Sequence, residues 1–140
     1  MRKTSLIVWV TGIWFAATPA AQAGTVFDGQ WTVNIVCPAY QDAEAYTEHF
    51  SVVIQNGQLL GQRGTAGQPG YLTLGGTVAD DGTIKLSGTQ LTNNPDYSVG
   101  HVPAGTKIPF TVNGKMDGDS GQGTRTEVRP CTYYFNRAPF

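Results

Sequence analysis

The sequence is poor in charge, in histidine and cysteine, and in long apolar runs. Of its 140 residues only 14% are charged, nine basic against ten acidic, which leaves no basic footprint for nucleic acid or for an anionic membrane surface. The same shortage argues against a disordered charged tail. His49 and His101 are the two histidines, and neither belongs to a nucleophile motif with serine or cysteine. Cys37 and Cys131, the two cysteines, lack CxxC spacing and neighbouring histidines, so no metal or redox centre is expected. Helical periodicity is missing as well, apart from a single turn expected within residues 42–49. The carboxylates offer no spaced acid/base pair, and the adjacent Asp80 and Asp81 read as turn chemistry.

What is present begins with an export signal. Arg2 and Lys3 precede an apolar stretch from Leu6 to Ala17, and Ala21-Gln22-Ala23 supplies the small-x-small site that a signal peptidase reads. That stretch is shorter than the ~20 residues needed to span a bilayer, so residues 1–23 are expected to be removed. A single domain, residues 24–140, then remains in the periplasm or outside the cell. It keeps seven basic and ten acidic side chains, a formal charge of −3, and one tryptophan, Trp31. In that oxidising compartment Cys37 and Cys131 are expected to be bonded, closing a long loop worth about 4 to 5 kcal/mol in chain entropy.

Hydrophobic alternation of period two runs through nearly all of the remaining chain. Trp31, Val33 and Ile35 alternate with Thr32 and Asn34, and Phe50, Val52 and Ile54 with Ser51 and Gln55. The pattern recurs around Leu72 and Leu74, Ile84 and Leu86, Ile108 to Val112, and Tyr133 and Phe135. Strands are expected at residues 26–37, 46–55, 58–63, 71–79, 83–90, 107–116, 120–126 and 131–137. Tight turns at Asn56-Gly57, Asp81-Gly82 and Asp117 to Gly121 alternate with longer connections at residues 38–45, 64–70 and 91–107. In an antiparallel meander that alternation gathers tight turns at one end and long loops at the other. Cys37 ends the first strand and Cys131 opens the last, both at the loop-rich end, where pairing of those two strands would close the sheet. The expected fold is all-β, an eight-stranded antiparallel up-and-down barrel, with a β-sandwich as the alternative.

The opening Phe27-Asp28-Gly29-Gln30-Trp31 contains Gly-x-Trp and resembles the calycin group of barrels: lipocalins, avidins and small bacterial metalloprotease inhibitors. The resemblance implies that Gly29 and Trp31 belong to a closed-end motif, that Trp31 plugs that end, and that a basic residue of the last strand, here Arg137, packs across it. It also implies limits. Avidin-like biotin sites use several tryptophans where this domain keeps Trp31 alone, and the inhibitors insert an N-terminal arm where only Gly24, Thr25 and Val26 precede Phe27. Taken whole, through Gly61 to Gly70 and on to Arg129-Pro130-Cys131, the domain also resembles a set of exported bacterial domains, a likeness that implies no activity.

Function is expected in the long connections. Tyr40, Arg63, Gln68, Asn94, Tyr97 and His101 mix aromatic and polar groups as binding sites do, and Arg63 leads because its planar donors suit a carboxylate or a partner's backbone. Other signals read as structure. Asp117-x-Asp119-x-Gly121 opens like a calcium loop but carries Gln122 and Val128 where glycine and glutamate are required. Gly61, Gly64, Gly67 and Gly70 recur every third residue, too briefly for a collagen helix. Phe140 resembles the end of outer-membrane barrels, whose strands need ~9–11 residues with an apolar outer face. Large inward side chains, Trp31, Phe50, Ile108 and Phe110 among them, are expected to fill the lower barrel and leave room only near the loops. The expectation is an exported non-catalytic module that takes a small ligand at the loop-rich end, without cofactor or metal. The alternative is a module that binds an extracytoplasmic protein or inhibits an enzyme, and catalytic groups converging from separate strands stay open.

Overall fold

The computed structural model describes residues 24–139; the export signal assigned to residues 1–23 and Phe140 lie outside the described residues. The strands follow in chain order: β1 (Gly29–Cys37), β2 (Tyr46–Gln55), β3 (Gln58–Arg63), β4 (Leu72–Val78), β5 (Thr83–Leu91), β6 (Lys107–Asp117), β7 (Ser120–Arg125) and β8 (Cys131–Arg137). Each pairs antiparallel with the next, and β8 returns to pair with β1, so the eight strands form a closed barrel rather than a sandwich. Closure leaves no unpaired strand edge.

Two local expectations change. β1 begins at Gly29 rather than at residue 26, because Thr25 to Asp28 turn, with the Asp28 N–H donating to the Thr25 carbonyl at 3.1 Å. The helical turn expected within residues 42–49 does not form. Gln41 takes a positive φ of 52°, Tyr40 and Ala43 exchange backbone hydrogen bonds of 3.0 and 2.9 Å, and from Tyr46 the alternation of Tyr46, Glu48 and Phe50 is that of a strand.

The tight turns share one end of the barrel. Asn56 and Gly57 take φ of 52° and 69°, the primed turn whose twist suits a hairpin. The Asp28 carboxylate accepts from both of their N–H groups, at 2.8 and 3.0 Å. Trp31 lies beneath, fully buried, its Nε1 donating to the Phe27 carbonyl at 2.8 Å. Arg137 covers it, pairing opposite Trp31 in the β1–β8 register and placing its guanidinium 4.6 Å from the ring centroid. The opposite end carries connections 38–45, 64–71, 92–106 and 126–130, the third with short 3-10 turns at Pro95–Tyr97 and Val99–His101. There Cys37 and Cys131 are bonded, their Cα atoms 4.4 Å apart.

Between the ends the lumen is filled. Val33, Ile54, Leu74, Ile84, Val112 and Phe135 are among the buried inward residues, each contributing about 1.5–3 kcal/mol on burial. Inward glycines leave room for rings to cross the barrel. A Cβ on Gly61 would stand 3.2 Å from Phe50 Cε2, and one on Gly88 only 2.6 Å from Phe110 Cζ, both at or inside the limit that a close-packed interior tolerates. Ile108, expected in this core, is only half-buried because it faces the loop-rich mouth. Outward positions are mostly polar, with Asn34, His49, Ser51, Lys85, Asn113 and Gln122 all exposed beside the exposed Val53, Leu60 and Tyr134. That is the reverse of a lipid-facing barrel wall. Among the described residues no helix is long and apolar enough to cross a membrane.

Candidate functional site at the barrel mouth

The alternation that packs the lower barrel changes its chemistry near the mouth. Read toward that end, the inward positions of β2 run Ile54, Val52, Phe50, then Glu48 and Tyr46. Those of β3 end on Arg63, those of β5 on Gln90 and those of β7 on Arg125. Strand register therefore sets a ring of polar side chains on top of an apolar core. Above the ring the loops border a half-open cavity of about 190 Å³, lined by Tyr46, Glu48, Arg63, Gln90 and Arg125 from below and by Asn94, Tyr97, Ser98, Val128 and Arg129 from the connections.

Glu48 and Arg63 form an ion pair, with Oε2 at 2.6 Å from Nη1. The Glu48 side chain is only 8% exposed against 38% for Arg63, and its second oxygen, Oε1, is buried without a hydrogen-bond partner among the described residues. Burial holds the Glu48 carboxyl above the usual carboxylate range, with Arg63 and Arg125 pulling the other way. The Tyr46 and Tyr133 hydroxyls are also pushed up, chiefly by burial.

The two buried arginines play different parts. Arg129, 3% exposed, donates through Nη1 to the Tyr97 carbonyl at 2.8 Å and through Nη2 to the carbonyls of Pro38 and, at 3.2 Å, Glu44. It thereby ties connection 126–130 to connections 38–45 and 92–106, and its guanidinium lies 5.2 Å from the Tyr46 ring centroid. Burial lowers its pKa. Arg125, 2% exposed, lies 4.7 Å over the Phe110 ring. It donates only long bonds, 3.3 Å to the Glu127 carbonyl and 3.4 Å to Gln90 Oε1, whereas strong charge-assisted bonds run ~2.7–2.9 Å. Among the described residues neither arginine has a carboxylate within ion-pairing distance.

All six loop residues singled out from the sequence belong to the mouth end, but only three line the cavity. Arg63, Asn94 and Tyr97 do, the Asn94 side chain also accepting from the Asp96 N–H at 3.0 Å. Tyr40 is exposed in its bridge with Ala43. Gln68 is exposed and sits in a turn, where its N–H donates to Thr65 and its carbonyl accepts from Tyr71. His101 is exposed and bonds the Asp42 carbonyl at 2.8 Å. Arg63 shares the cavity with two further cations, Arg125 from β7 and Arg129 from the connection after it.

The signal for Glu48 and Arg125 was in the sequence. Alternation back from Phe50 puts Glu48 and Tyr46 inward, and alternation along Gly121, Gly123 and Arg125 does the same for β7, but with glycines as the inward partners no apolar pattern drew notice. Neither histidine lines the cavity, and among the described residues no group of side chains is placed to hold a metal ion. The arrangement is one of donors, acceptors and charge around a small half-open volume, which suits binding. No protein-family model, curated protein or solved structure matches the chain.

Proposed function

We propose that the protein is an exported binding module that takes a small polar ligand in the mouth cavity. The observation that carries this reading is the buried charge around that cavity: Glu48, Arg125 and Arg129 are shielded from bulk water, Glu48 Oε1 and Arg129 Nε are buried without hydrogen-bond partners among the described residues, and Arg125 makes only bonds of 3.3 and 3.4 Å. Leaving buried polar groups unsatisfied costs about 1–3 kcal/mol each, a cost that a ligand with complementary groups offsets. The volume of about 190 Å³ falls below the ~300 Å³ at which drug-sized pockets begin, so the ligand is small. The disulfide supports export to an oxidising compartment, and the Arg137 guanidinium over Trp31 supports the calycin resemblance.

A protein-binding reading draws on the exposed Tyr40, Tyr97 and Val128, aromatic and apolar surface of the kind partners contact. Native mass spectrometry of the protein purified from an exporting host, with thermal-shift screening of small polar compounds, separates the two. A co-purifying or stabilising compound of low mass is expected. Saturation by a protein partner, with no small compound raising the melting temperature, contradicts the proposal.

A further inference from the structure

We infer that the cavity's ligand is a small organic monoanion, a carboxylate that also carries a hydrogen-bond donor, whose carboxylate meets Arg125 and whose donor meets Glu48 Oε1. This deepens the small-ligand reading and rests on it.

The charges around the cavity do not balance. Arg63, Arg125 and Arg129 line it against Glu48 alone. Glu48 and Arg63 neutralise each other at 2.6 Å, and Arg129 spends its Nη donors on three backbone carbonyls of two connections. Arg125 and Arg129 are both left without a carboxylate partner among the described residues, and of the two Arg125 has the weaker hydrogen bonds. Its long bonds go to neutral acceptors, and a buried guanidinium without a counter-charge is costly. Its planar fork accepts a carboxylate with two parallel bonds that replace weak ones with strong ones.

The second requirement comes from Glu48. Oε1 is an acceptor, buried and without a partner, on a side chain that lines the same cavity. A simple carboxylate would place another acceptor nearby and leave Oε1 unsatisfied, whereas a hydroxyl on the same molecule supplies the missing donor. An inorganic anion such as chloride has no donor at all. The cavity's volume of about 190 Å³ suits a molecule of a few carbons.

Three nearly isosteric probes separate these requirements in isothermal titration of the exported, disulfide-bonded protein: lactate, propionate, which lacks the hydroxyl, and lactamide, which lacks the charge. Lactate is expected to bind about tenfold or more tightly than lactamide and several-fold more tightly than propionate, the scale of one hydrogen bond to a charged group. Arg125→Met keeps an aliphatic stem over Phe110 and is expected to weaken lactate about tenfold or more, while Glu48→Gln is expected to narrow the gap between lactate and propionate. If Arg125→Met fails to fold by circular dichroism, the probe comparison on the wild-type protein still decides. Lactamide binding as well as lactate, or lactate affinity unchanged in folded Arg125→Met, overturns the anion and leaves the small-ligand reading standing. Propionate equal to lactate overturns the donor. No binding of any small compound in the cavity overturns both this inference and the reading beneath it.

Discussion

The Arg137 guanidinium lies over the Trp31 ring at 4.6 Å from its centroid and is itself held by the Asp28 carbonyl at 2.9 Å and the Asp119 carboxylate at 2.7 Å. The pair seals the turn end of the barrel and joins its first strand to its last. Trp31→Ala is expected to cost about 3–5 kcal/mol as a large-to-small core change, read from urea denaturation. Arg137→Ala is expected to cost less, about 1–2 kcal/mol, and Arg137→Lys to recover little of it, because an ammonium lacks the flat face that stacks. A Trp31→Ala loss under about 1 kcal/mol, the range of surface substitutions, contradicts this role.

Arg129 is the corresponding clasp at the mouth. Arg129→Met strands the carbonyls of Tyr97, Pro38 and Glu44, and a destabilisation of about 2–4 kcal/mol is expected from the lost charge-assisted bonds. Hydrogen exchange gives the sharper check. The Glu44 N–H, bonded to the Asp96 carbonyl at 2.9 Å, is expected to exchange faster in the variant while the Asn56 and Gly57 amides at the far end do not change. Uniform acceleration at both ends would mean global loosening instead of a released loop.

Most of the barrel was legible in the sequence because period two and turn chemistry agree along the whole domain. Trp31 to Ile35 and Phe50 to Ile54 marked their buried faces directly, and Asn56-Gly57 marked a hairpin. Pairing of the terminal strands followed from placing Cys37 and Cys131 at one end. The mouth was harder to read. Exposure and chemistry mark the loop residues, yet Gln68 lies exposed in a turn and His101 bonds the Asp42 carbonyl of another connection, placements that only the folded connections define. Arg125 and Glu48 were passed over because charged residues at inward strand positions resemble outward ones until register fixes the face. Arg129 acts through carbonyls distant in sequence, which no local pattern encodes.

The raised pKa of Glu48 has a definite signature in stability. A carboxyl whose folded pKa exceeds its unfolded one stabilises the fold fully below the ordinary carboxylate range and loses that contribution as pH rises through the raised value. Glu48→Gln stays neutral throughout. In the ligand-free protein its melting temperature, relative to wild type, is expected to climb as pH rises through and above the ordinary carboxylate range. A constant difference across that range, or one that falls, contradicts burial as the dominant influence on Glu48.

The disulfide closes the sheet beside the cavity. Replacing both Cys37 and Cys131 with serine is expected to lower stability by about 2–5 kcal/mol. In the wild-type protein, mass spectrometry without reductant is expected to give a mass two hydrogens below the dithiol form. Free thiols in protein recovered from the exporting compartment contradict the bond.

The most direct test of the mouth as the binding end is amide chemical-shift mapping of the ¹⁵N-labelled protein titrated with lactate. Saturable shifts are expected for Glu48, Gln90, Arg125 and the amides of residues 97–99 and 128–129, with Asn56, Gly57 and Trp31 unmoved. Shifts centred on the turn end or the outer wall, or none at any concentration of lactate or of the other small polar compounds, would contradict it.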